Sequence, residues 1–388
     1  MENTDKVNAM DKEIDFGWFI PTMGDTSRIG DDSATTPPSL ELFTHIARTA
    51  EDAGFTYLLV PVMPECHEAY ISCAMVSAQT SKIDMLVAAR AGFIAPPVMA
   101  KMLSTFDQLS GGRLRVNLIT GGDSDEMAAD GMFYNHDERY DVLTETVEIL
   151  KDAWTRDEPF DVDGTYFTAR GVNVQPKPVQ KPHPPFYLGG MSPAARELCA
   201  THADVHLFWG DSPANIATNV QDMTARAAAK GRTLDFGMRL QVIVRETEEE
   251  AWAAAENLIS YASEEHKESV KGRWSESKAN DRMKELAQAD GHMVAENLWS
   301  GIATVRHGAG IAIVGNPEQV AGKIGEFVDA GCSSFCLSGY PHAEEAERFG
   351  RLVMPLLRAR FPVKGAGSSP EEPLQPTTPA LTLAPSLP

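Results

Sequence analysis

No stretch of the 388-residue chain approaches the run of about 18 apolar residues that a transmembrane helix needs. Its first residues, MENTDKVNAMDKEID, lack the apolar centre of a secretory signal. Cysteine is scarce and scattered: Cys66, Cys73, Cys199, Cys332 and Cys336 form no CxxC pair, and no HExxH occurs. A disulfide framework and a structural zinc or other metal site are therefore not expected. These absences predict a cytoplasmic protein kept in a reducing setting. Basic residues are also in short supply, 34 against 55 acidic ones, for a net charge of −21. Such a field disfavours nucleic acid and anionic membrane as partners. It also repels small anionic substrates weakly, so a site for one would need its own arginine cluster.

What is present is rhythm. Apolar runs at 15–22, 56–62, 84–90, 114–120, 185–190, 205–210, 238–246 and 333–339 each precede a helical pattern. The helices are expected near 39–53, 68–80, 97–110, 137–156, 193–201, 213–230, 248–262 and 343–360. Eight strand–helix units at this spacing predict a closed (β/α)8 TIM barrel over 15–362, after a flexible N-terminus at 1–14. Residues 160–175 read as an inserted hairpin. The charged connection 263–295 is too long for a plain loop and is expected to be a mobile lid. The proline-rich extension 363–388 has no aromatic residue and cannot build a core.

Chemistry in a barrel gathers at the C-terminal ends of its strands. In MRLQVIVRE (238–246), alternation puts Met238, Leu240, Val242 and Val244 on one face and Arg239 and Gln241 on the other, towards the barrel interior. YLGGMSPAA (187–195) runs a strand into Gly190, Met191 and Ser192 at a helix start, a turn suited either to a phosphate or to simple capping. NHDERY sets His136 and Tyr140 on one helical face. Asn117 lies inside a strand, where its amide needs a ligand edge or backbone groups as partners. Trp209 ends one strand, Arg306 sits among glycines after the presumed lid, Tyr340 and His342 close the last strand, and Cys66 follows the second.

FIPTMGD, NLITGGD, NHDERY, YLGGMSPAARELCA, LFWG, FGMRLQVIVRETEEEAWAAAE, NLWSGIATVRHGAGIAIVG and LSGYPHAEEA together resemble the flavin-dependent alkanesulfonate monooxygenases. These belong to the bacterial-luciferase-like group of two-component enzymes, and the similarity runs through about residues 15–360. The resemblance implies reduced FMN (FMNH2) supplied by a separate NAD(P)H-dependent FMN reductase, O2 as co-substrate, and a small anionic organosulfonate cleaved to an aldehyde and sulfite. It implies a catalytic set of Cys66, Trp209, Arg239, Arg306, Tyr340 and His342, with Gln241 beside them. The flavin phosphate would lie near Tyr140 and Gly190–Ser192, with Asn117, His136 and Met191 around the cofactor. Homodimers or homotetramers are the family's usual assemblies. Met23 and Gln241 stand where the family has histidines, which leaves sulfoquinovose, methanesulfonate and dimethyl sulfone as alternative substrates. Outside this class, a deazaflavin-dependent dehydrogenase could use the same barrel.

Overall fold

The computed structural model describes residues 12–272 and 278–365. Most of the expected 1–14 and 363–388 segments therefore lies outside the described residues. Eight parallel strands carry the frame: β1 (Asp15–Phe19), β2 (Tyr57–Val60), β3 (Asp84–Arg90), β4 (Leu114–Ile119), β5 (Phe186–Gly189), β6 (Val205–Trp209), β7 (Asp235–Val244) and β8 (Ser334–Ser338). Each pairs with its sequence neighbour, and β8 returns to β1, so the sheet closes into a (β/α)8 barrel.

Period-2 alternation sorts the side chains into two cores. Outward residues such as Phe16, Met85, Val116, Met238 and Leu240 pack beneath the helices. Inward residues such as Phe19, Tyr57, Leu59, Leu86, Tyr187, Leu207 and Cys336 fill the barrel. At its N-terminal end the interior is polar. Arg115 donates to Asp15 at 2.5 Å, Asp84 at 2.9 Å and the Tyr187 hydroxyl at 2.8 Å, and lies 4.4 Å over the Tyr57 ring. Burial presses both carboxyls upward. In Asp15 the charges of Arg115 and Lys364 outweigh it and the pKa falls; in Asp84 burial prevails and the pKa rises. This plug closes one end and leaves the other for ligands.

The structure departs from the expected element list between β7 and β8. The four-residue strand Ala312–Gly315 and the helix Pro317–Asp329 were absent from it. That strand takes over the β7 edge from residue 241 onward, where β6 has ended. The last helix is also two, His342–Leu352 and Met354–Arg360. Pro355 has no N–H to give the Arg351 carbonyl, so the helical bonding breaks there. Residues 160–163 and 168–172 form a separate antiparallel hairpin. The long connection holds helices Glu264–Gly272 and Lys278–Ala287.

Candidate active site

A cavity of about 960 Å³ opens at the C-terminal ends of the strands. Of the residues singled out in the sequence, Asn117, His136, Tyr140, Gly190, Met191, Trp209, Arg239 and Arg306 lie on its wall. Ser192, Tyr340, His342, Cys66 and Gln241 do not.

One end of the cavity is built around Gly190. Its φ of +114° suits glycine, and a Cβ there would stand 2.9 Å from the Tyr140 hydroxyl and 2.8 Å from the Ala195 side chain. Ser192 caps the helix Pro193–His202 by accepting from the Ala195 amide at 3.2 Å. Burial raises the Tyr140 pKa despite hydrogen bonds with Thr120 and Ser192, so the hydroxyl stays a neutral donor. Two hydroxyls and a backbone turn without a side chain thus meet at a helix N-terminus, a setting suited to a phosphate. His136, partly exposed, contacts Asp137 at 2.7 Å and packs on Tyr140; the capping of its helix falls instead to Asn135. Midway along the wall, the Asn117 side-chain amide has no protein partner among the described residues and is free for a ligand edge.

The other end is cationic. Arg239 is only 5% exposed, and it forms no ion pair among the described residues. Its guanidinium lies 4.6 Å over the Phe19 ring, and Nη1 donates to the Leu240 carbonyl at 2.9 Å. Burial, with a further push from the charge of Arg306, lowers its pKa; an arginine still keeps its proton. Among the described residues Arg306 likewise has no carboxylate partner, and its guanidinium stands 5.9 Å from the Tyr340 ring. Two guanidinium groups without a carboxylate partner among the described residues, in one pocket of a chain of charge −21, are suited to an anion.

Behind Tyr340, His342 is fully buried. Its Nδ1 is 2.7 Å from Asp25 Oδ1, and its backbone N–H donates to Asp25 Oδ2 at 2.8 Å. Burial opposes ionisation of Asp25, but the contacts with His342 outweigh it and the pKa falls. An ionised Asp25 fixes the proton on Nδ1 and leaves Nε2 buried without a protein partner. Asp25 escaped sequence reasoning because its partner is 317 residues away. Cys66 packs near Thr22, and burial pushes its thiol up, so it is no thiolate nucleophile at neutral pH. Gln241 is wholly buried and bonded within the protein.

The matched family model, described as luciferase-like monooxygenase, covers residues 14–334. The chain belongs to the luciferase-like monooxygenase family. Solved luciferase-like barrels share its fold at low identity. Riboflavin lyase, solved with modified FMN and riboflavin, aligns with a TM-score of 0.76 at 21% identity over 90% of this chain and 92% of its own. DmoA from Hyphomicrobium sulfonivorans gives 0.74 at 20%, over 90% and 89%. EDTA monooxygenase from Chelativorans sp. BNC1 gives 0.72 at 18%, over 90% and 94%.

Across the mouth of this luciferase-like barrel lies the helix Lys278–Ala287, which supplies Lys278, Ala279, Asn280, Arg282 and Met283 to the wall. Arg282 fastens it with a two-pronged contact to Asp211 just beyond β6, at 2.7 and 3.0 Å. The Asp211 carboxylate also accepts from Asn215 and from the Ser212 amide. Removing one partner of such a charge-assisted pair loosens the segment by about 1.5–3 kcal/mol, or roughly tenfold or more in opening. Asp211→Ala should therefore be cleaved within 263–295 at least tenfold faster than wild type in limited proteolysis. Equal cleavage rates would show that the latch holds nothing.

Proposed function

We propose that the protein is a monooxygenase that uses reduced FMN and O2 to break the C–S bond of an organosulfonate, releasing an aldehyde and sulfite. The observation that carries this reading is the pair Arg239 and Arg306, unpaired and sharing one wall of the cavity. A sulfonate is anionic at every biological pH and offers three acceptor oxygens, which matches forked guanidinium donors. FMN is assigned to the opposite end, because the Gly190 turn and the Tyr140 hydroxyl suit its phosphate and Asn117 lines the space for its ring edge. When bound, the reduced flavin supplies the electrons that activate O2. The overall balance is R–CH2–SO3⁻ + FMNH2 + O2 → R–CHO + HSO3⁻ + FMN + H2O.

In this reading Arg239 and Arg306 hold the sulfonate and the negative charge that develops on the departing sulfite. Trp209 forms a flat wall beside them. His342, oriented by Asp25 and packed edge-on against Tyr340, holds that ring in place behind the cavity. The helix Lys278–Ala287 keeps bulk water from the reacting atoms. A separate NAD(P)H-dependent reductase provides the reduced flavin. Assembly as a homodimer or homotetramer belongs to the same proposal.

Sulfite release from linear alkanesulfonates, methanesulfonate and sulfoquinovose, and formaldehyde release from dimethyl sulfone, should be measured with reduced FMN, with and without O2. The proposal expects O2-dependent sulfite from at least one sulfonate. Substrate oxidation without O2, read as reduction of added oxidised deazaflavin, would instead identify a dehydrogenase.

A further inference from the structure

Gln241 stands on β7 two residues beyond Arg239, yet it does not reach the cavity. Its side chain is fully buried, and both its oxygen and its nitrogen have protein partners. Ser338 Oγ donates to Oε1 at 2.5 Å, and Nε2 donates to the Ala309 carbonyl at 3.1 Å. The Gln241 backbone amide donates to the Ile311 carbonyl at 2.8 Å. One residue therefore grips the chain on both sides of Gly310, where a Cβ would meet Ala303 at 2.6 Å. The gripped segment is the one that carries Arg306. On its other side the Arg306 amide donates to the Ile302 carbonyl, and His266 from the helix Glu264–Gly272 contacts the Val305 carbonyl at 2.8 Å.

Arg306 needs such a hold. Its charge disfavours the charge of Arg239, and no carboxylate among the described residues offsets either one. Left to itself, a glycine-containing loop would swing Arg306 into water, where its charge is best solvated. We infer that Gln241 is a positioning residue: through Ser338 and Ala309 it fixes the Arg306 loop so that both guanidinium groups are in place before the anion arrives. Its amide does not titrate, so the hold is independent of pH, as a histidine at this position would not be. The inference rests on the anion reading of the cavity and assigns Gln241 no contact with substrate.

The test is anaerobic calorimetry of 1-octanesulfonate binding to the protein with reduced FMN. Wild type, Gln241→Leu, Arg306→Ala and the double variant are compared, with reduced-FMN affinity as a check on folding. Gln241→Leu should weaken sulfonate binding about tenfold, the effect of stranding a buried partner. The double variant should bind no more weakly than Arg306→Ala alone, because the strut acts only through that arginine. Ser338→Ala, a milder change to the same chain of bonds, should shift affinity in the same direction. If Arg306→Ala weakens binding while Gln241→Leu and Ser338→Ala bind as wild type, the strut is wrong and the anion site stands. Additive losses in the double variant would also overturn the strut. If wild type binds neither 1-octanesulfonate nor any other sulfonate of the panel, the functional reading itself fails.

Discussion

Arg239→Ala should lose about 10²–10³-fold in turnover, the loss typical of removing a donor aimed at developing charge. The reason is position. Arg239 is buried in the barrel with its guanidinium over the Phe19 ring and, among the described residues, no carboxylate to neutralise it, so its field acts on whatever anion enters. Low dielectric strengthens that field relative to a surface arginine. Arg239→Lys should recover little. A lone ammonium can neither stack on the ring nor offer two parallel donors while a third N–H binds the Leu240 carbonyl. Reduced-FMN affinity, which the proposal places at the Gly190 end, should change little in both variants. If Arg239→Ala keeps more than about a third of wild-type turnover, far above the loss expected for such a donor, the arginine is a packing element.

At the opposite end, Gly190→Ala should weaken reduced-FMN binding about 10–100-fold. The φ of +114° would strain any residue with a Cβ by roughly 1–3 kcal/mol. The new methyl would also stand between the Tyr140 hydroxyl and Ala195, in the space assigned to the phosphate. Sulfonate binding in the absence of flavin should be unaffected. An anaerobic flavin titration decides this, and wild-type affinity in the variant would move the phosphate elsewhere.

Much of the frame was legible because barrel strands carry their own signature. In β7 the apolar row Met238, Leu240, Val242 and Val244 faces the helices while Arg239 and Gln241 face inward, so periodicity alone assigned the faces. The missed strand Ala312–Gly315 is only four residues and wholly buried, too short to show a period. The helix Pro317–Asp329 was within reach: Asn316 and Gln319 form its capping box, with Pro317 at its first position. The site was legible in its residue types but not in its contacts. Nothing local in the sequence distinguishes Arg239, which has no counter-ion, from Arg115, which holds two carboxylates on the same inner face. Asp25 and Arg282 are ordinary surface-like residues until the fold brings them to His342 and Asp211. Gln241 looked like a pocket residue because the segment that consumes its amide lies 68 residues onward.

The most direct measurement is a single turnover. Enzyme loaded anaerobically with reduced FMN and a sulfonate that wild type turns over is mixed with O2, and sulfite is counted against flavin oxidised. Wild type should release sulfite in amounts close to the flavin oxidised, and Arg239→Ala should oxidise the flavin while releasing almost none. Sulfite formed equally by both proteins, or formed before O2 is added, would contradict the account.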